Sequence, residues 1–431
     1  MINSKYAEHL IKDFSISPEI IKIVNNAEEK LADRYKEADD ISAVCQLKIL
    51  KAFQDNNINA THFDWSTGYG YGDSGRDAVE RVYSSVFKTE AALVRPNIVN
   101  GTHAIASTLY GILKPGDEFV EATGKPYDTL ETVIGKYSNK FEGTILDYGV
   151  VYIEVPLKDL DVDLEAIKAS ITDKTTVVAM QRSTGYDWRP AISLENLRTV
   201  TEMVHSINPD IIVMLDNCYG EFVDFYEPTE FGVDVMAGSL IKNPGGGIAL
   251  TGGYIVGRKD LIDRIANRLT CPGIGADCGL TYGQNRGVLQ GLFLAPQVVN
   301  AAVKGAMLTG LIFHDFGYEV MPKAMSHRSD IIQGIKFLDP DKTVTFCQAI
   351  QAASPIDSYV TPVPWEMPGY QDQVIMASGS FVQGSSIELS ADAPLREPYI
   401  AYFQGGLTYE HSRFGLIKSL DWLFKKGMIE L

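Results

Sequence analysis

Lys242 ends an apolar, strand-like run, Asp234-Val-Met-Ala-Gly-Ser-Leu-Ile-Lys242, and a Pro-Gly-rich turn, Asn-Pro-Gly-Gly-Gly247, follows at once. A primary amine at the end of a buried strand is costly unless it has a partner or a task. One task is a Schiff base with pyridoxal phosphate, which removes the buried charge and creates an electrophile. The plainer reading is a lysine reaching out to water. Upstream, Ile211-Ile-Val-Met-Leu-Asp216-Asn-Cys-Tyr219-Gly-Glu221 is a β-branched apolar run ending in an acid. Such runs read as parallel strands buried on both faces, and ligands in open α/β sheets gather at the carboxyl ends of the strands. A carboxylate placed there favours a protonated pyridine nitrogen and makes the ring a better electron sink. It can equally cap the next segment or pair with an arginine. An Asp and a Lys at the ends of successive sheet elements are more specific than either alone.

A phosphate needs a cradle. Asn100-Gly101-Thr102-His103-Ala-Ile-Ala-Ser-Thr108 reads as a turn opening a helix, where Gly101 permits close backbone approach and the first N–H groups are free for an anion. Ser239, three residues before Lys242, can add a hydroxyl. Tyr127, just past an expected strand, can lay its ring over a cofactor or simply pack. Gly70-Tyr-Gly72-Asp-Ser-Gly75 matches a dinucleotide fingerprint in form only, because no strand precedes it. Ser183-Thr-Gly-Tyr-Asp-Trp-Arg189 is a polar loop after a strand, either lining a cavity or lying on the surface.

Helix-start glycine, aromatic, aspartate, then Ser-x-x-Lys is the order found in fold-type I pyridoxal-phosphate enzymes. The chain resembles their cystathionine/methionine-lyase branch, in which Asp-Asn-x-[Tyr/Phe] supplies the pyridine partner and Ser-x-x-Lys the Schiff-base lysine. It is most similar to the bacterial aluminium-resistance, or methionine-gamma-lyase-like, group. Thr67-Gly-Tyr-Gly-Tyr-Gly-Asp-Ser-Gly-Arg76, Arg95-Pro-Asn-Ile-Val-Asn-Gly-Thr-His103, Gln181-Arg-Ser-Thr-Gly-Tyr186, Lys242-Asn-Pro-Gly-Gly-Gly247 and Gln404-Gly-Gly-Leu407 carry this likeness over most of the chain. The resemblance implies pyridoxal 5'-phosphate held by Lys242, Asp216, Gly101, Thr102, His103, Tyr127 and Ser239. It implies that Tyr71 and Arg76 reach the cofactor phosphate of an adjacent subunit, although their spacing departs from the Tyr-x-Arg of the better-known lyases. It also implies a homotetramer built as a dimer of dimers.

Positioning these groups takes a doubly wound α/β domain. Helical and strand patterns alternate from Asn100 to about Gly257, with strands expected near 117–122, 151–155, 176–181, 211–215, 234–240 and 253–256, which implies a mostly parallel sheet. Residues 1–65 form a helical arm, 66–290 the large cofactor-binding domain, and 291–431 a linking helix and a smaller α+β domain. In that smaller domain strands are expected at Tyr318–Met321, Thr343–Gln348 and Gln373–Ala377, with proline-rich turns at 355–368.

Composition narrows the function classes. At 431 residues and 45% apolar content the chain can bury a sizeable core. A net charge of −17 argues against nucleic acid and anionic membrane as main partners. Five scattered cysteines fit reduced thiols in a cytosol better than a disulfide frame, Cys271 and Cys278 lack a usual zinc spacing, and no metal site is expected. No signal-peptide pattern opens the sequence, so a cytoplasmic location is expected.

The resemblance implies an amino-acid substrate. Its carboxylate calls for a bidentate arginine, and Arg396, in Ser390-Ala-Asp-Ala-Pro-Leu-Arg396, is preferred to Arg413. Lys242 is the expected general base at Cα, Asp216 stabilises the protonated ring, and Tyr69 or Tyr71 can assist leaving-group departure. The resemblance points to carbon–sulfur β- or γ-elimination giving a 2-oxo acid and ammonia. An aminotransferase or γ-replacement synthase would use the same Asp, Lys and Arg. A non-catalytic cofactor-binding regulator would keep the same scaffold.

Overall fold

The structure, a computed structural model, describes residues 1–137, 140–367 and 370–430. Three helices open the chain: α1 (Ser4–Phe14), α2 (Pro18–Lys30) and α3 (Ala32–Asp55). The Asn3 side chain caps α1 by accepting from the Tyr6 N–H, and Pro18 starts α2 where its missing N–H costs nothing. Next come α4 (Ser74–Val86), β1 (Ala91–Arg95), α5 (Gly101–Ile112), β2 (Glu118–Glu121), α6 (Asp128–Ile134), β3 (Val151–Glu154), α7 (Leu164–Ser170) and β4 (Thr175–Gln181). The alternation continues through α8 (Leu194–Ile207), β5 (Ile212–Asp216), β6 (Val235–Ser239), β7 (Gly253–Gly257) and α9 (Lys259–Leu269). The long α10 (Asn285–Asp315) leads into β8 (Glu319–Met321), β9 (Gln333–Lys336), α11 (Pro340–Ala353), β10 (Val374–Ser378), β11 (Ser390–Pro394), β12 (Ile400–Gln404) and α12 (Tyr409–Lys425).

The chain divides into two compact units. One comprises residues 44–185 and 191–295; the other comprises 1–43, 186–190 and 296–431. These units cut the chain elsewhere than at 65/66 and 290/291, because the first helices are tied to the C-terminal elements. The Ser17 N–H and hydroxyl both donate to Asp421, and Arg413 donates to Glu28 at 2.8 Å.

The first unit holds a seven-stranded sheet in the order β1-β7-β6-β5-β4-β2-β3. Six strands run parallel and β7 runs against both neighbours. Their near-continuous apolar text is what burial on both faces demands. Leu93, Val177, Met214, Val235 and Ile255 pack against Ile105 and Leu109 of α5 and Ile265 of α9. All six strands expected in this region are present, and β1 joins them.

The second unit holds an antiparallel sheet in the order β10-β11-β12-β9-β8, with α11 packed on β10 and β11 and against α12. The strand expected at Thr343–Gln348 is instead part of α11. Asp339 caps that helix by accepting from the Asp341 and Lys342 N–H groups, Pro340 occupies its first turn, and Phe346, Cys347 and Ile350 are buried at helical spacing. The last residue of the expected 355–368 turns, Pro368, lies outside the described residues. α10 has the length and apolarity of a membrane span, but 78% of its apolar window is buried inside the structure, as in a core helix.

Candidate active site

The carboxyl edge of the parallel sheet collects the residues singled out above. Asp216 is the last residue of β5, and its main chain is fixed from both sides. The Arg182 N–H donates to its carbonyl at 3.0 Å, and the next residue, Asn217, donates to Ala237 of β6 at 3.0 Å. The Asp216 side chain, 9% exposed, accepts from the Cys218 N–H at 3.0 Å. Ser239 ends β6 fully buried, and Lys242 follows three residues on, past the strand rather than on it.

The turn after Lys242 is held by packing that admits no side chain. A Cβ on Gly245 would lie 1.7 Å from the Leu240 carbonyl oxygen, and one on Gly291 of α10 would lie 2.1 Å from the Gly245 oxygen. The Lys242 Nζ stands 4.0 Å from the centroid of the Tyr219 ring. Burial pushes its charge out, but Cys218, Tyr219, Asp216 and Glu221 outweigh that and hold the amine above its ordinary range.

The helix start is packed closely against these strands. A Cβ on Gly101 would come within 3.2 Å of the Cys218 Sγ and 3.3 Å of the Ser239 Cβ, so the N-terminus of α5 meets β6 and the Asp216–Cys218 turn directly. Asn100 caps the helix by accepting from the His103 N–H at 2.8 Å, which leaves the Gly101 and Thr102 N–H groups at the open end. The Thr102 hydroxyl meets that of Thr129 on α6 at 2.9 Å. His103 accepts from the Val99 N–H through Nδ1, and burial lowers its basicity. Tyr127 starts α6, with its N–H donating to Gln181 Oε1 at 2.7 Å. Gly101, Thr102, Ser239, Asp216 and Lys242 are therefore brought together, with Tyr127 linked to them through α6 and β4.

Other expected residues stand differently. Tyr69 and Tyr71 are 74% and 65% exposed, with ring centroids 5.6 Å apart. Arg76 is 3% exposed and donates through Nη1 to the carbonyls of Gly70 (2.7 Å) and Gly279 (3.3 Å), so in this chain it secures the turn that carries the two tyrosines. In the second unit Arg396 donates to Asp372 Oδ2 at 2.8 Å and to the Tyr186 carbonyl at 3.3 Å. Arg413 is committed to buried Glu28, which the Tyr409 hydroxyl also holds at 2.7 Å. Burial works against the Glu28 charge, but Tyr409 and Arg413 outweigh it and keep the carboxyl below its usual range.

Sequence reasoning assigned no role to Arg182, Tyr219 or Glu221. Arg182 is fully buried and donates to Asn217 Oδ1 (3.1 Å), the Gly220 carbonyl (2.7 Å) and Asp224 (2.7 Å). Glu221 is fully buried, with the Tyr254 hydroxyl donating to it at 2.6 Å. Burial pushes the Glu221 carboxyl up to about 8 against that hydrogen bond. An arginine directly after a buried strand was the one available signal.

The mostly parallel sheet with Asp216 at the end of β5, Lys242 just past β6 and the glycine-opened helix has the fold-type I architecture of pyridoxal-phosphate-dependent enzymes. A solved pyridoxal-5'-phosphate-dependent protein, YhfS from Escherichia coli, shares the fold at 17% identity, with a TM-score of 0.59 over 89% of this chain and 96% of that one. The methionine gamma-lyase family model matches residues 20–424, and the chain belongs to that family. Protein YnbB of Bacillus subtilis, itself uncharacterized, is 47% identical over 95% of this chain and 97% of its own length. The solved structure of a carbon-sulfur lyase involved in aluminum resistance from Clostridium novyi is 49% identical, with a TM-score of 0.94 over 98% of this chain and 99% of that one. L-methionine gamma-lyase of Pseudomonas deceptionensis is 29% identical over 38% of this chain and 37% of its own. The family implies pyridoxal phosphate, and the residues present fit it: an amine, a carboxylate and a cradle that a single methyl on Gly101 would fill.

Proposed function

We propose that the chain is a pyridoxal-phosphate-dependent lyase that breaks the carbon–sulfur bond of an amino acid by β- or γ-elimination, giving a 2-oxo acid and ammonia. The observation that carries this reading is Asp216 at the end of β5 and Lys242 three residues past the end of the adjacent β6, beside the Gly101–Ser239 contact. When bound, the cofactor supplies the electrophile and the electron sink. The Gly101 and Thr102 N–H groups and the Ser239 hydroxyl would hold its phosphate with the positive end of the α5 dipole. Asp216 would pair with its pyridine nitrogen, Tyr127 would lie beside its ring, and Lys242 would be its covalent anchor. As a free amine, the Lys242 Nζ would take the Cα proton of the substrate.

Arg396 is the proposed clamp for the substrate carboxylate, exchanging its Asp372 contact for the incoming anion. Tyr69 and Tyr71, exposed on a turn whose backbone is fixed, are proposed to serve the site of a neighbouring copy in a cytoplasmic homotetramer, with Tyr69 or Tyr71 assisting the leaving group. Their exposure supports this, as does the commitment of Arg76 to holding that turn.

The purified protein is expected to be yellow. Its visible band should bleach with borohydride and vanish in Lys242→Ala, and a sulfur amino acid should release ammonia with a 2-oxo acid. A strict need for a 2-oxo acid acceptor would make it an aminotransferase. Bound cofactor without turnover of any amino acid would make it a regulator.

A further inference from the structure

Tyr219 has a backbone φ of +73°, a region that bulky residues enter only under strain. The surroundings over-determine it. Arg182 donates to Asn217 Oδ1 on one side and to the Gly220 carbonyl on the other. A Cβ on Gly220 would come within 2.5 Å of the Arg182 Cδ. The Asn243 side-chain amide, next to Lys242, donates to the Glu221 carbonyl at 2.9 Å, and Tyr254 donates to the Glu221 carboxyl. Arg182, Asn243 and Tyr254 thus hold one turn in an unfavourable shape. What that shape delivers is the face of the Tyr219 ring, 4.0 Å from the Lys242 Nζ.

An aromatic face attracts a cation and gives nothing to a neutral amine. We propose that Tyr219 is a catalytic residue whose ring stabilises the ammonium form of Lys242, so that Nζ can accept the substrate's Cα proton and hold it while the leaving group departs. The Cα–H bond breaks, the Nζ–H bond forms and the bonding pair stays with the substrate. The same proton is then available to the departing group. Among the described residues, Cys218 bears on this amine most, and Asp216 and Glu221 add to it. Asp216 is engaged by the Cys218 N–H and Glu221 by Tyr254, whereas the Tyr219 ring lies directly against Nζ.

This inference rests on Lys242 being the reacting amine. Its test reads the amine itself: the full chain, freed of cofactor, is pulsed with acetic anhydride across a pH series, and acetylation of Lys242 is followed by mass spectrometry. Tyr219→Phe should keep the wild-type midpoint. Tyr219→Leu and Tyr219→Asn should lower it by about one pH unit, a tenfold loss of proton affinity, and kcat of the loaded enzyme should fall in the same two variants. Asparagine tolerates the left-handed region, so Tyr219→Asn should melt at or above the wild-type temperature, which separates the effect from misfolding. Equal midpoints in all four proteins would overturn the proposal. So would a Tyr219→Phe midpoint that falls with the Leu variant, which would assign the effect to the hydroxyl. Failure of the underlying reading looks different: a visible band that survives Lys242→Ala while the labelling midpoints still shift.

Discussion

Two turns of the first unit present tyrosines in opposite ways. The Asp216–Phe222 turn is enclosed by Arg182, Asn243 and Tyr254, and it offers its aromatic ring inward to Lys242. The turn bearing Tyr69 and Tyr71 is equally well fixed in its backbone, by the Gly279 N–H donating to the Tyr69 carbonyl and by Arg76 donating to Gly70. Yet it turns both rings out to solvent. Fixing a backbone costs conformational entropy wherever it is done. In the first turn the return is visible within one chain. In the second the rigid presentation of exposed aromatics suits use by another molecule, as the proposed oligomer requires.

The largest effect that can break this contrast lies at the inward turn. Lys242→Ala should lower kcat/KM by about ten-thousandfold in steady-state ammonia release. Asp216→Asn should cost about a hundredfold to a thousandfold, mostly in kcat, because the variant keeps the shape and loses the charge. Arg396→Ala should raise KM by tens of fold, about 2 kcal/mol. Arg413→Ala should instead lower Tm by leaving Glu28 buried without its guanidinium; a KM effect at Arg413 and none at Arg396 would reverse the clamp assignment.

The outward turn is tested by mixing. Tyr71→Ala should cost about tenfold, and subunits carrying it, combined with Lys242→Ala subunits, should regain activity through hybrid sites. No gain after exchange would confine Tyr71 to its own chain. The smallest effect concerns Glu221. Burial pushes its folded carboxyl up to about 8, above its unfolded value, so the stability it contributes is lost as pH rises toward 8. Glu221→Gln should therefore raise Tm by more at pH 8 than at pH 5, measured by calorimetry.

The sheet was legible because strands buried on both faces need near-continuous apolar text, which residues 177–180 of β4, 212–215 of β5 and 235–237 of β6 supply. Asp216 and Lys242 were legible because each interrupts such a run. Thr343–Gln348 misled because β-branched and aromatic residues also fit a helix face, and the deciding signal, Asp339 with Pro340, lies just upstream. β1 escaped notice although it is no shorter than β2 or β3, because Ala91–Arg95 precedes the alternating pattern and its place is set by pairing with the distant β7. The role of Tyr219 could not be read at all. Positive φ at a non-glycine residue is imposed by neighbours that are remote in sequence, here Arg182, Asn243 and Tyr254. Arg396 and Arg413 each already hold a carboxylate, Asp372 and Glu28, so their partners do not decide between them.

The bare crossing of Gly245 and Gly291 has a practical corollary for anyone altering this protein. The turn after Lys242 takes its position from a helix residue with no chemistry of its own, so a single methyl group added at Gly291 would displace that turn without touching Asp216, Ser239 or Gly101. Activity lost through Gly291→Ala would look like damage at a distance, when it is only steric exclusion passed along one turn of chain.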